Sequence, residues 1–485
     1  MSIKKERTFI PQQYINMATL GVEAEKVKGI EKLTRENKAR LVAFLLAVIH
    51  VIHVKGSNSL YIYNESGFYE ELQQWMLELL FKYLMDAAEI EWTLNNEGRI
   101  LAEYKRSLVW EIDGFNNKNA VNFRNGVFFL PSPPDSDSAE SSETMELSEA
   151  RFEPHTPENS LFTSVLDYDY QEAAVCPRFD KFISETACRD QSWIDLVQEI
   201  GGICLSNYTK LGKAFFFFGS GCNGKSVLAR VLQSIIGEQN TCAISLRALD
   251  EKFALEGLIG KKLNISSENE GMGSSERFKT LVTCDAVNIP IKYEGDWTGF
   301  LFAKHVFLMN SLPKTPDVTN AFFRRIVIVP FNNVVGPDQI DLDLPSKLHA
   351  ERAGIFNWFY EGYYRLFQNG YHFTPCLTAE AASVTYMERE NPTALFFRDE
   401  YEEKKGNRIL KSSIYQKYIK WCDKNDASKL PRNKFWSAIK EKGKEITNGK
   451  SFEFRRCKGV DYLIGYIEKN EEKEASTAEA ASAKN

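Results

Sequence analysis

Apolar residues along this chain change their period several times, and each change marks an element. Residues 1–55 carry helical spacing, and Leu41 to Val54, the longest apolar run, reads as a buried helix. That run is too short to span a bilayer, and it contains His50 and His53, three apart, which read as structural. In SLYIYNESGFYEE two alternating aromatic stretches flank Asn64-Glu65-Ser66-Gly67 and predict a β-hairpin. Residues 70–112 return to helical spacing, and FRNGVFFL follows with Asn125-Gly126 as a tight-turn signal. Trp193 to Cys204 predicts a helix with Ser192 as its N-cap. Residues 211–335 alternate strand and helix, and 336–400 are helical. In 401–470 the pattern reads helix, helix, hairpin: Tyr415, Tyr418, Ile419 and Cys422 share one helical face, Pro431 opens a helix carrying Phe435 and Ile439, and ITNGKSFEF supplies two strands around Asn448-Gly449.

This pattern divides the chain into a mixed, mostly helical N-terminal domain (1–130), a helical collar-like segment (161–210), an α/β core (211–335), a helical segment (336–400) and a small C-terminal module (401–470). Between the first two lies a break at 131–160. PSPPDSDSAESSETMELSEA holds six acids and no Lys or Arg before Arg151, the composition of a flexible acidic linker. The tail 471–485 is expected to be disordered.

The strongest chemical signal is AFFFFGSGCNGKSVLARVLQSIIG. Phe215 to Phe218 suit a buried parallel strand, and Gly219-Ser220-Gly221-Cys222-Asn223-Gly224-Lys225-Ser226 fits G-x-x-x-x-G-K-[ST]. Val227, Leu228, Val231, Leu232, Ile235 and Ile236 then recur on one helical face, and Gly237 is a helix stop. Strand, glycine-rich loop and helix in that order make a phosphate cradle: glycines turn backbone N–H groups onto phosphate oxygens, and the helix N-terminus adds partial positive charge. Lys225 is placed for the β- and γ-phosphates of ATP, and Ser226 for Mg²⁺.

Composition narrows the class. With 43% hydrophobic and 26% charged residues in 485, the chain is globular and too long for one domain. Its net charge of -6 does not by itself point to nucleic acid. The distribution does: residues 401–470 hold 18 Lys+Arg against 9 Asp+Glu, so +9, which leaves -15 for the remainder. The nine cysteines form no C-x-x-C pair, which gives no zinc ribbon or disulfide framework and fits a reducing cytoplasm. The N-terminal MSIKKERTFIPQQY has no apolar signal core. No membrane partner is expected.

After GSGCNGKS, the segments KKLNISSENE, LVTCDAVNIPIKYEGDWTGF, KHVFLMNSLPKTPD and NAFFRRIVIVPF follow in order. This set resembles the superfamily 3 helicases, in particular the phage/plasmid primase-helicase family that includes the poxvirus primase-helicase. The likeness is most specific over 211–331, and YIYNESGFYE, NFRNGVFFL and DYDYQEAAVCPRFDKFI resemble the region preceding that family's ATPase. It implies an AAA+-like P-loop ATPase core, with Leu263 to Ser266 as the Walker B strand and Glu268 and Glu270 as its acids; Glu268 would also help hold Mg²⁺. Ser267 stands where the family usually has Asp, which leaves the division of labour between the two acids open. Asn310, ending the strand Val306 to Met309, matches the sensor residue. Arg324 or Arg325 matches an arginine finger that acts in the neighbouring subunit, and the spacing does not choose between them. Lys292, with Tyr293, matches a channel hairpin that tracks DNA, although Thr283-Cys284 replace the family's more usual glycine pair.

The C-terminal module resembles the family's winged helix, presenting Arg432, Lys434, Lys440, Lys442 and Lys444 on a recognition helix and Lys450, Arg455, Arg456 and Lys458 on a wing. Asp167-Tyr168-Asp169 could mimic a polymerase carboxylate pair, but it matches the family's DYDY stretch and reads as structural. A primase activity is therefore not expected from this chain. The resemblance implies a homo-oligomeric ring, a hexamer by family, that moves 3′-to-5′ on single-stranded or forked DNA during replication of a phage, plasmid or other mobile element. A separately encoded primase or polymerase would be its partner. Two other readings stay open: a winged-helix DNA-binding regulator switched by ATP, and a small-molecule kinase built on the phosphate loop.

Overall fold

The computed structural model describes residues 9–55, 59–108, 110–112, 114–116, 118–132, 149–267, 269, 271–291, 295–315, 317, 320–336, 338, 340–390, 392–425, 427, 429–446 and 452–469. The N-terminal part contains α1 (Met17–Val27), α2 (Arg35–Val48), β1 (Val51–Val54), β2 (Leu60–Asn64), β3 (Phe68–Glu71), α3 (Gln74–Ala87), α4 (Leu94–Ser107) and β4 (Glu111–Ile112). The four strands form one sheet in the order β3-β2-β1-β4, and the helices bury Leu45, Leu80, Leu84 and Tyr104 between them. The run expected to be helical to Val54 ends at Val48. Val51-Ile52-His53-Val54 pairs with β2 and β4 instead, because β-branched residues fit a half-buried strand better than a helix. The aromatic hairpin is β2–β3, with Asn64 opposite Phe68.

A second sheet joins β5 (Ala120–Phe123), β6 (Gly126–Phe129) and β7 (Arg151–Glu153). The expected flexible linker therefore needs correction at its C-terminal end. Arg151–Glu153 pairs with β6, and the Arg151 guanidinium lies 4.1 Å over the Phe129 ring. Residues 133–148 of that linker lie outside the described residues.

Next come α5 (Pro177–Thr186) and α6 (Gln191–Leu205). The N-cap of α6 is Asp190, whose carboxylate accepts from the Ser192 and Trp193 N–H groups, so the cap lies two residues before the expected Ser192. The core follows: β8 (Ala214–Phe218), α7 (Lys225–Ile236), β9 (Thr241–Cys242), β10 (Leu263–Ser266), α8 (Ser275–Val282), a hairpin of β11 (Val287–Ile291) and β12 (Gly295–Gly299), β13 (Lys304–Met309), α9 (Asn320–Phe323) and β14 (Ile326–Pro330). Five of these strands make one parallel sheet in the order β14-β8-β13-β10-β9. Phe215, Phe216 and Phe217 are fully buried in its centre, as a strand covered on both faces requires.

The helices α10 (Leu344–Ala350), α11 (Arg352–Gln368), α12 (Leu377–Glu390) and α13 (Thr393–Glu400) complete the 336–400 segment. α11 lies tightly against α6. A Cβ on Gly202 would stand 2.3 Å from the Tyr363 backbone nitrogen and 2.6 Å from the Phe359 carbonyl, so neither neighbour can rotate away. Gly202→Ala is expected to destabilise the chain by about 1–3 kcal/mol, read as a lowered urea midpoint, despite alanine's better helix propensity. Beside that contact the buried Glu199 carboxylate takes the Arg365 guanidinium at 2.8 Å and the Thr374 N–H at 2.8 Å.

The C-terminal module consists of β15 (Tyr401–Leu410), α14 (Lys411–Lys424), α15 (Arg432–Ile446), β16 (Phe454–Cys457) and β17 (Val460–Glu468), with an antiparallel sheet in the order β15-β17-β16. Phe435, Ile439, Tyr418 and Cys422 fill its core, as their spacing predicts. The hairpin is displaced from the expected place: α15 runs to Ile446, and the turn is Lys458-Gly459, both at positive φ (48° and 82°). That two-residue geometry matches the twist of paired strands, and Gly adopts it freely. Asn448-Gly449 lies outside the described residues.

Candidate nucleotide site

The phosphate loop is set by glycine conformation and by crowding. Gly221 and Gly224 have φ of 111° and 87°, which a side chain would resist. Gly219 has ordinary backbone, but a Cβ there would meet the Phe331 carbonyl at 2.6 Å. Gly224 is the N-cap of α7, which puts Lys225 and Ser226 on the first turn. Lys225 is 6% exposed and Ser226 is exposed. The Lys225 ammonium donates to the Gly219 carbonyl at 2.6 Å and to Asn223 Oδ1 at 3.0 Å, and burial lowers its pKa. A buried cation held by neutral oxygens has an unmet demand for negative charge, so the loop fits a polyphosphate. Asn223 in turn donates to the Phe331 carbonyl at 3.1 Å, which ties the loop to the end of β14. The Val335 N–H closes over it onto the Cys222 carbonyl at 2.8 Å. Cys222 and Ser220 are exposed.

The sheet order carries a second element to the same edge. β13 lies beside β8, and the Gly219 N–H donates to the Met309 carbonyl at 3.2 Å. Asn310, the next residue, is exposed at the mouth of the loop. β10 lies on the far side of β13 and ends at Ser266, two residues before Glu268. Glu268 and Glu270 lie outside the described residues. Between them Asn269 is 4% exposed; it donates to the Ser266 and Leu308 carbonyls at 2.9 and 3.1 Å and accepts from the Leu246 N–H at 2.8 Å. This anchor was missed in the sequence, where a polar residue between two acids looks solvated.

Arg324 and Arg325 stand at the opposite edge. β14 begins at Ile326 opposite Ala214, and the Ala214 N–H donates to the Arg325 carbonyl at 2.7 Å. The strand β8 then separates them from Gly219 by about 16 Å at ~3.3 Å per residue. Arg324 is exposed. Arg325 is partly buried, with Nη1 on the Ala321 carbonyl and Nε buried without a partner among the described residues. Lys213, also missed in the sequence, donates to the Arg324 carbonyl; its pKa is lowered by burial and by the two arginines.

β11 and β12 form the expected hairpin, with Ile289 opposite Trp297. Lys292 and Tyr293 lie outside the described residues. In the C-terminal module Arg432, Lys434, Arg455 and Arg456 are all exposed, and Arg455 pairs with Glu453 at 2.6 Å. Asp167 and Asp169 do not converge into a carboxylate pair: Arg352 holds Asp167, Arg124 holds Asp169 at 2.8 Å, and the Tyr168 hydroxyl between them donates to the Ile235 carbonyl at 2.8 Å. These contacts bear out the structural reading.

Lys262 fastens the core sheet to the preceding domain. Its ammonium donates to the Ala120 and Leu205 carbonyls, and burial, reinforced by Lys304, pushes its pKa down to about 7. In the unfolded chain the same lysine stays protonated to about pH 10. Between those limits the unfolded chain binds more protons than the folded one, so stability rises with pH across that window. The Lys262→Met variant is expected to lose part of this rise, seen as a flatter plot of melting temperature against pH from about 7 to 10.

Two family models match the chain. One, a family of unknown function (DUF5906), matches residues 217–325, and the other, described as poxvirus D5 protein-like, matches residues 388–481. Over residues 388–481 the chain is similar to the poxvirus D5 protein-like family. The first model covers the phosphate loop through Arg325, and the D5-like match covers the C-terminal module. Among solved structures, the A form apo structure of the NrS-1 C-terminal region aligns at 12% identity over 86% of this chain and 96% of that one, with TM-score 0.46. A further apo structure of that region aligns at 13% identity over 86% and 96%, with TM-score 0.42. Among the described residues, no helix is long and apolar enough to cross a membrane.

Proposed function

We propose that this chain is an ATP-dependent DNA helicase of the superfamily 3 type, with an AAA+-like core and a C-terminal winged helix, acting in replication of a mobile element. The observation that carries the reading is the convergence of Lys225, Ser226 and Asn310 at the carboxyl ends of parallel strands, where open α/β sheets bind their ligands. Loop N–H groups and Lys225 hold the β- and γ-phosphates of ATP. Ser226 and Glu268 hold Mg²⁺, which when bound offsets charge on the phosphate oxygens. Glu268 or Glu270 polarises the attacking water, and Asn310 orients it. The separation of Arg324 and Arg325 from their own loop favours action on a neighbouring subunit's nucleotide, hence a ring, by family a hexamer. Arg324 is the better finger, since Arg325 is tied back to its own helix. Lys292 and Tyr293, which fall between β11 and β12 in sequence, grip the DNA backbone and a base, and hydrolysis moves them 3′-to-5′ along one strand. Arg432, Lys434, Arg455 and Arg456 hold the module on DNA, and a separate primase or polymerase completes the machinery.

A forked duplex incubated with the protein, ATP and Mg²⁺ tests this. Strand separation that requires hydrolysable ATP is the expected result. DNA-stimulated hydrolysis without separation would turn the reading toward an ATP-switched DNA binder, and a phosphorylated small molecule toward a kinase.

A further inference from the structure

β17 is the central strand of the C-terminal sheet, and its side chains alternate between the two faces. Leu463 points inward: it is fully buried and shares the module core with Ile409, its register partner on β15. Tyr462 and Ile464 therefore stand on the outer face, and so does Val460, 40% exposed. Among the described residues, none of these three packs against the module core. Tyr462 has Leu410, 38% exposed, opposite it on β15 and Arg455 opposite it on β16. The Arg408 guanidinium, from the same edge as Leu410, lies 4.9 Å over the Tyr462 ring.

Charge and shape together identify what covers this face. The Glu453 carboxylate is held by Arg455 at 2.6 Å. Arg408 and, at the hairpin turn, Lys458 are exposed and form no ion pair among the described residues. The face thus combines an uncovered apolar strip, an aromatic ring backed by a guanidinium and an excess of positive charge. An unpaired nucleotide matches all three: its base stacks on the ring and the guanidinium, and its phosphate meets the unpaired cations. A duplex matches them less well, because its bases keep their faces inside the stack. An acidic peptide would meet the charges and leave Val460, Leu410 and the tyrosine ring in water.

We propose that the outer face of the β15-β17-β16 sheet seats single-stranded DNA, with a base stacked on Tyr462 and the backbone on Arg408 and Lys458. The proposal rests on the reading that the chain engages DNA, and it adds to the α15 helix a second surface that takes unpaired bases. Its test is fluorescence anisotropy with the full chain, without nucleotide, on two labelled probes: an oligothymidylate and an abasic oligomer of the same length. Tyr462→Ala is expected to weaken oligothymidylate binding at least about five-fold and to leave the abasic probe unchanged, because only the first has a base to stack. Tyr462→Phe keeps the ring and keeps the wild-type affinity for both. Arg408→Gln, at an exposed position, weakens both probes and lowers the slope of log affinity against log salt by about 0.7, one phosphate contact on a single strand. Melting temperatures report whether each variant folds. Wild-type binding of oligothymidylate by folded Tyr462→Ala, or an equal loss on both probes, would overturn the stacking face and leave the DNA reading standing. A smaller assembly in sedimentation of Tyr462→Ala, with DNA affinity intact, would give the face to a second copy of the chain and overturn the proposal. No binding of either probe by the wild type would remove both readings.

Discussion

Replacing Lys225 with alanine is expected to reduce ATP hydrolysis at least about 100-fold and to abolish strand separation, while the protein still folds. The size of the loss follows from the role proposed for the ammonium: a fixed positive charge, 6% exposed, that would face the negative charge gathering on the transferred phosphate. Folding survives for a different reason. The variant gives up two hydrogen bonds to neutral oxygens, each worth about 1 kcal/mol, and is relieved of the cost of burying a cation whose pKa is already lowered. Hydrolysis with radiolabelled ATP and a melting curve on the same preparation separate the two effects. Wild-type hydrolysis in the variant would remove the phosphate loop from the chemistry.

The second large effect concerns Arg324. Arg324→Ala is expected to lower hydrolysis by about 10³-fold or more, the range seen when an arginine finger is lost. Position makes the test sharper than the rate alone. Arg324 lies at the amino ends of β8 and β14, and Lys225 just beyond the carboxyl end of β8, so one subunit cannot bring both to one nucleotide. Mixing inactive Arg324→Ala protein with inactive Lys225→Ala protein is then expected to restore part of the hydrolysis, because some interfaces pair an intact loop with an intact finger. No recovery in mixtures that demonstrably co-assemble would sink the shared-site reading. Arg325→Ala serves as the comparison. Its side chain caps its own helix at Ala321, so its loss should act on stability more than on rate.

How much of this was legible beforehand depended on how local the signal was. The strand–turn–helix around Gly219 to Ser226 was fully legible: a strand of four phenylalanines, a glycine turn and an amphipathic helix are consecutive, and each constrains its own backbone. The strand that leads to Asn310 was legible for the same reason, since Val306 to Met309 is a plain buried run. The strand β15 was not. Tyr401–Leu410 holds five charged residues and Gly406, shows little alternation, and becomes a strand only through its pairing with β17. The hairpin turn was misplaced because Asn-Gly is a strong local signal, whereas Lys458-Gly459 is chosen by the register of Phe454–Cys457 against β17. Leu41 to Val54 misled in the opposite direction: an unbroken apolar run cannot say where a helix yields to a strand, and partners at Ile62 and Glu111 decide it.

Alone, the sequence determined where the glycine-rich strand–turn–helix lies, which segment was basic and which strands were buried, since these depend on side-chain chemistry and backbone preference within a few residues. Tertiary structure decided what those residues face. The order β14-β8-β13-β10-β9 sets Asn310 against Gly219 and sends Arg324 to the far edge, and it turns Asn269, Lys213 and Lys262 from surface-looking polar residues into anchors. Such placements come from pairing strands far apart in the chain. The energy of that pairing lies in shared burial and hydrogen bonds that no single segment contains.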